Sequence, residues 1–171
     1  MSKTIVAIQT AKAEGQLAHK KTLKEVEGHP AFAHGIIAAH GSDHIDCIYC
    51  STDDSKIMEL SELYEYELVL RPSHLSGNNP NHHEVIKHAV VEIEKEIHQK
   101  IDVVVLLQGE TLGINSTMID EAIERLTPEY DSVISNDVDD SNKTFSIMNR
   151  DAVFQTANGP YPWLGQRVRN L

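Results

Sequence analysis

Lys12, Lys20, Lys21 and Lys24 crowd into the stretch TAKAEGQLAHKKTLK, Thr10–Lys24, of a chain whose formal net charge is −11. A lysine ammonium is a compact point charge that suits phosphate oxygens. The segment is therefore a candidate loop for a small anion. A solvated basic connector has the same composition, because lysines are common on surfaces. Neither a Walker A pattern nor a GxGxxG fingerprint is present here.

Other residue types invite chemistry less strongly. Cys47 and Cys50 in CIYC have Cys-x-x-Cys spacing. Redox or zinc chemistry would place such a pair at a helix start or a knuckle. Here the pair falls in an expected strand, where positions three apart face opposite sides. Packing as small buried hydrophobes fits better. The 10 histidines lack a metal-ligand spacing. His82 and His83 are adjacent, and Gly41 and Ser42 end a helix between His40 and His44. Asp53 and Asp54 are carboxylates able to hold a cation, but a helix cap at Asp54 or Ser55 accounts for them more simply. Tyr161 and Trp163 are suited to stacking on a ligand, or to anchoring the tail on the body or on a neighbouring subunit.

The totals bound these options. A length of 171 residues suits one domain with a full core. The 40% apolar and 24% charged residues are ordinary for a globular chain. An acidic chain lacks the broad basic face a nucleic acid requires. No stretch approaches the roughly 20 apolar residues of a membrane helix. TIVAI is too short for the apolar region of a signal peptide, so a cytoplasmic location is expected, without membrane or nucleic-acid partners. Two cysteines make no disulfide framework.

The elements that must position these residues alternate. TIVAI (Thr4–Ile8) reads as a buried strand. Pro30 suits the first position of a helix running to about His40. IDCIYCS, ELVLR, DVVVLL, SVIS and TFSIM read as further strands, and the continuous run of DVVVLL suits a central parallel strand. SKIMELSELYE reads as one helix. Val85, Ile86, Ala89, Val90, Ile93 and Ile97 recur at helical spacing, with Asn81 as N-cap and Glu84 three residues on. In TMIDEAIERL, Thr117 and Asp120 form an expected capping box. Alternation of this kind predicts an α/β fold: a parallel sheet with helices on both faces. Ligands in such sheets bind beyond the carboxyl ends of the strands where strand order reverses. The loops QTAKAEGQLAHKK and QGETLGINS, after the first and fourth strands, are the places to look. Residues 150–171 have no clear periodicity and are a candidate terminal arm of a single domain spanning 1–171.

Aligned back from Gly28-His29-Pro30, the first loop resembles the start of the CMP-sugar-acid synthetases, the acylneuraminate and 3-deoxy-manno-octulosonate cytidylyltransferases. That family opens with a strand, Pro-Ala-Arg, a Gly-Ser-rich stretch, a lysine nine residues after the arginine, then Gly-Lys-Pro. Without gaps, Thr10-Ala11-Lys12, Lys21 and Gly28-His29-Pro30 fall on those positions. STDDSKI (Ser51–Ile57) is similar to the family's Ser-Thr-Asp-Asp. RPSHLSG (Arg71–Gly77) is similar to its Arg-Pro-x-x-Leu-Ala/Ser-Gly. VVVLLQGE (Val103–Glu110) resembles the Gln-Pro-Thr and Gln-Gly-Asp-Glu-Pro blocks of the two branches. MIDEAIERL continues in register, so the resemblance spans roughly Ile5 to Asn149.

The resemblance implies a Rossmann-like nucleotidyltransferase fold, mostly parallel, and transfer of CMP from CTP to a 2-keto-3-deoxy sugar acid with release of pyrophosphate. The product would be destined for a surface polysaccharide. It also implies Mg²⁺ as cofactor and a homodimer. Lys12 and Lys21 take the catalytic triphosphate-binding positions. Ala11, Thr22, Arg71, Ser76 and Gln108 complete the nucleotide set. Glu110 stands where the octulosonate branch holds Mg²⁺, and His82 or His83 would line the sugar pocket. The chain also departs from the pattern. Lys12 replaces an arginine, Ala13 and Glu14 replace small flexible residues, His19 replaces a proline, and Thr22 replaces an asparagine. QGETLGI carries no arginine at Ile114. The family's second metal-binding aspartate has no clear counterpart after Asn149; Asp137, Asp139 and Asp140 are candidates by charge only. These departures leave two alternatives: a catalytically silent homologue that binds a nucleotide or a partner, or a nucleotidyltransferase using another NTP.

Overall fold

The computed structural model describes residues 2–11, 21–77, 81–109, 111–135, 145–155 and 161–171. In chain order its strands are β1 (Ile5–Thr10), β2 (Glu25–Val26), β3 (His29–Pro30), β4 (Cys47–Thr52), β5 (Glu67–Leu70), β6 (Val103–Gln108), β7 (Ser132–Ile134), β8 (Phe145–Asn149) and β9 (Val168–Asn170). The helices are α1 (Ala33–His40), α2 (Ser55–Glu59), α3 (Ser61–Tyr64), α4 (His82–Ile97), α5 (Ser116–Glu124) and α6 (Arg150–Phe154).

A seven-stranded sheet of order β5-β4-β1-β6-β8-β7-β9 forms the middle layer. β8 runs antiparallel to both of its neighbours, and the remaining pairs are parallel. Strand side chains alternate between faces, and both faces are apolar. Ile5, Ala7, Val103, Val105 and Leu107 join the cluster beneath α1 and α5, through Ile36 and Ile119. Val6, Ile8, Val104 and Leu106 join the opposite cluster with Ile86, Ala89, Val90 and Ile93 of α4. β1 and β6 are thus covered on both sides, which explains their unbroken apolar runs.

Several boundaries differ from the expected ones. Pro30 does not open a helix. It pairs with Glu25 in a two-stranded antiparallel ribbon. The turn residues Glu27 (φ 50°) and Gly28 (φ 85°) both have positive φ, the geometry that matches a tight hairpin's twist. SKIMELSELYE divides at Leu60, whose amide donates to Ile57 O at 3.2 Å, one residue short of the α-helical spacing. The expected cap of α4 is present: Asn81 Oδ1 accepts from Glu84 N at 3.3 Å. The expected capping box of α5 is absent, because Asn115 is the N-cap and accepts from Met118 N at 3.0 Å. Asp120 instead accepts from Ser42 Oγ at 2.5 Å and Asp43 N at 3.2 Å, tying α5 to the chain after α1.

Residues 161–171 lie on the body. Trp163 and Leu164 are buried in the α4-side cluster, and β9 extends the sheet by pairing with β7. Among the described residues no helix is long and apolar enough to cross a membrane.

Candidate nucleotide-binding site

Strand order reverses between β1 and β6. The chain runs outward through β4 and β5, then returns to the other side of β1. The final residues of the two strands, Thr10 and Gln108, are partners in register. Gly109 N donates to Thr10 O at 2.9 Å. The segments that follow β1 and β6 therefore leave the sheet side by side, at the position where open α/β sheets bind ligands. Lys12, Glu14 and Glu110 lie outside the described residues, as do Asp137, Asp139 and Asp140.

Arg71, just after β5, ties three strand ends together. Its Nε donates to Ser51 Oγ at 3.1 Å. Its Nη2 donates to Ser51 O at 2.8 Å and to Ala11 O at 3.2 Å. Ala11 N in turn donates to Ser51 O at 3.1 Å. Burial lowers the Arg71 guanidinium from its ordinary value, and the Asp53 carboxylate opposes that effect. Ser76 closes the loop on itself, its Oγ donating to Pro72 O at 3.0 Å. Asp53 Oδ2 accepts from Gly77 N at 3.1 Å. The structure thus brings Ala11, Arg71 and Ser76 into one hydrogen-bonded assembly at the strand ends.

Gln108 lies beside it, half-buried at the end of β6. The Thr111 hydroxyl donates to Gln108 O at 2.6 Å and accepts from Gln108 N at 3.2 Å, closing the turn after the strand. Lys21 is exposed, as a phosphate-binding ammonium must be, and Thr22 is buried. Thr22 O accepts from Phe32 N at 3.1 Å, which anchors the end of the lysine-rich segment on the start of α1. α1 approaches β1 closely at Gly35. A Cβ there would stand 2.9 Å from Gln9 Oε1 and 3.4 Å from Leu107.

His82 and His83 stand in the first turn of α4. His83 is buried and its Nε2 meets Val153 O at 2.5 Å. The His82 ring stacks edge-on against Trp163 at 4.9 Å. Both histidines have packing partners on the α4 side of the sheet, as do Tyr161 and Trp163, whose rings are 5.6 Å apart.

The cysteines are core residues. Cys50 belongs to the α1-side cluster and Cys47 packs against the opposite one. Burial pushes the Cys50 thiol up to about 12 and the Cys47 thiol up to about 11. Neither forms the reactive thiolate that redox or metal chemistry needs. Asp54 caps α2, its Oδ1 accepting from Lys56 N at 2.7 Å and Ile57 N at 3.4 Å. Asp53, beside it, has no part in that cap; sequence reasoning missed its contact with Gly77. The adjacency of two aspartates with one helix start to serve was the available signal. Among the described residues no group of three or more His, Cys, Asp or Glu is arranged to hold a metal ion.

Comparison with known proteins agrees with this geometry. A family described as cytidylyltransferase matches residues 19–161. The 3-deoxy-manno-octulosonate cytidylyltransferase of Thermodesulfovibrio yellowstonii is 29% identical over 115 residues, covering 66% of this chain and 44% of that protein. The chain thus matches less than half the length of this curated relative. A CMP:2-keto-3-deoxy-manno-octonic acid synthetase solved with CTP superposes with a TM-score of 0.68 at 11% identity, over 99% of this chain and 90% of its own. A 4-diphosphocytidyl-2C-methyl-D-erythritol synthase superposes at 0.71 with 8% identity, over 99% and 89%. At such identities the superpositions speak for a shared Rossmann-like nucleotidyltransferase fold. With the family match running from residue 19 to residue 161, the chain belongs to the cytidylyltransferase family.

Proposed function

We propose that this protein transfers CMP from CTP to a 2-keto-3-deoxy sugar acid of eight or nine carbons. The sugar hydroxyl oxygen attacks the α-phosphorus in line. A new P–O bond forms, the bond to the β-phosphate bridge breaks, pyrophosphate leaves, and the hydroxyl proton passes to solvent. The observation that carries the reading is the juxtaposition of Thr10 and Gln108 at the strand-order reversal, with Arg71 bound to the carbonyl of the next residue, Ala11.

In this reading Lys12 and Lys21 bind the triphosphate, and backbone amides of the same loop add donors. Positioning and charge neutralisation are the protein's main tasks in such a transfer. Arg71 and Ser76 support the nucleotide loop, and Gln108 borders it. The proposed cofactor is Mg²⁺, for which Glu110, two residues after β6 in the chain, would supply one carboxylate and phosphates the remaining anionic ligands. When bound, the ion neutralises phosphate charge. His82 and His83, which pack against Trp163 and Val153, remain the residues assigned to the sugar pocket. A homodimer and a cytoplasmic setting complete the proposal.

A catalytically silent homologue is the second reading, favoured by Lys12 and Glu14 in the phosphate loop and by the engagement of Arg71 with protein carbonyls. The two separate on incubation with Mg²⁺, each NTP in turn and a panel of sugar acids. Mass spectrometry of a CMP ester supports the enzyme. CTP-induced thermal stabilisation without product from any pair supports the silent binder. Product from another NTP alone redirects the nucleotide assignment.

A further inference from the structure

Asp53 has a role that helix capping does not supply. The following helix α2 is served by Asp54, and Asp54 N itself donates to Thr52 Oγ1 at 3.0 Å. Asp53 reaches across 24 residues to the Gly77 amide through Oδ2. Its other oxygen, Oδ1, is buried without a hydrogen-bond partner. A buried carboxylate oxygen left unpaired is costly, and native chains keep few of them. Arg71, a half-buried cation at the other end of the 71–77 loop, gives its side-chain hydrogen bonds to Ser51 and Ala11. Gly77 takes φ +95°, open to glycine without strain, so its amide can face the carboxylate.

These contacts form a continuous circuit. Gly77 ends the RPSHLSG segment, and Asp53, just after β4, holds it. Ser76 Oγ, one residue earlier, donates to Arg71 O at 3.4 Å, and Arg71 holds Ala11, just after β1. Ala11 is the last described residue before Lys12. We infer that Asp53 is a positioning residue that couples the Arg71–Gly77 loop to the start of the lysine-rich loop, acting through Gly77 and Arg71 without touching the substrate. The inference rests on the nucleotide-site reading for its functional consequence, but its mechanical content stands on the contacts alone.

The test is Asp53→Ala, which removes the acceptor for Gly77, with Asp53→Asn, which keeps the shape and an acceptor, as the conservative rescue. Arg71→Met removes the other half of the circuit and serves as the second variant. Amide hydrogen exchange, read peptide by peptide, is measured over residues 5–11, 71–77 and the α4 core. Coupling predicts that Asp53→Ala raises exchange about tenfold in both of the first two regions and leaves α4 unchanged, while Asp53→Asn stays close to wild type. In CTP titrations of Asp53→Ala, affinity falls about tenfold while kcat at saturation changes less than threefold. Faster exchange confined to 71–77, with 5–11 unaltered, would overturn the coupling. Faster exchange everywhere would reduce Asp53 to a general stability role and overturn it equally. If the wild-type protein ignores CTP, the nucleotide reading fails, and the exchange pattern still decides the coupling.

Discussion

Lys21 and Arg71, both assigned to the proposed nucleotide site, are held differently. Lys21 is exposed and leaves its ammonium open to solvent, whereas Arg71 is held by Ser51 and Ala11. Changing Lys21 to Ala is expected to lower turnover at least about 100-fold, the scale seen when a charge-stabilising donor is removed. The melting temperature should stay within about 2 °C, because exposed substitutions seldom affect stability. A loss of stability comparable with the loss of turnover would count against the assignment. Cys50 makes the opposite prediction. Its thiol, pushed up to about 12 by burial, stays protonated at pH 8. A thiol reagent should leave it unmodified in the native protein and modify it promptly in denaturant; native labelling at the rate of a free thiol would contradict the core assignment.

At the scale of elements, the closing strand depends on one carboxylate. Asp131, before β7, accepts from Gln166 N at 3.0 Å, Arg167 N at 2.9 Å and Arg167 Nη2 at 2.6 Å. This brings the chain into β9. Gly165 is required there, since a Cβ would lie 2.6 Å from Asp131 Cβ and φ is +75°. Gly165→Ala should destabilise the protein by roughly 2 kcal/mol or more, read from urea unfolding. The Arg167 guanidinium holds the Asp131 carboxyl below its ordinary value, and the Arg150 guanidinium does the same for Glu94. Both folded values are depressed. Their stabilisation is therefore complete above the ordinary carboxylate range and is lost as pH falls below about 4. Asp131→Asn should lower the urea midpoint at pH 7 and weaken its dependence on pH below 4. An unchanged midpoint at pH 7 would contradict the contact network.

Much of this element level is legible in the sequence, and the exceptions have physical reasons. The apolar runs of β1 and β6 and the helical spacing of α4 identify those elements because burial alone shapes them. Pro30 is ambiguous, since a fixed φ suits either a helix start or an edge ribbon. The Glu27–Gly28 turn decided between them. The Thr117–Asp120 pair has the right spacing for a cap, yet Asp120 is drawn off by Ser42, 78 residues away in sequence. The same limit applies at the site. RPSHLSG and STDDSKI mark the segments, but the contacts from Arg71 to Ala11 and from Asp53 to Gly77 depend on how three strands are ordered.

Across the whole molecule, strand order decides where chemistry can occur. The sequence alternation predicts a parallel sheet, and the structure supplies the strand order of its parallel block, β5-β4-β1-β6. It does not reveal that β8 enters antiparallel between β6 and β7, because a buried strand reads alike in either direction. The reversal at β1 and β6 brings the described ends of both strands together, with the Arg71–Gly77 loop bound to Ala11 beside them. The central claim, that a cytidylyltransferase reaction takes place there, is tested most directly by the rate of pyrophosphate release from CTP. It is measured with Mg²⁺ and a saturating 2-keto-3-deoxy sugar acid, wild type against Lys21→Ala. The account predicts release that requires both substrates and collapses in the variant. No release from wild-type protein with any eight- or nine-carbon acid at high enzyme concentration, or equal release from both proteins, would contradict it.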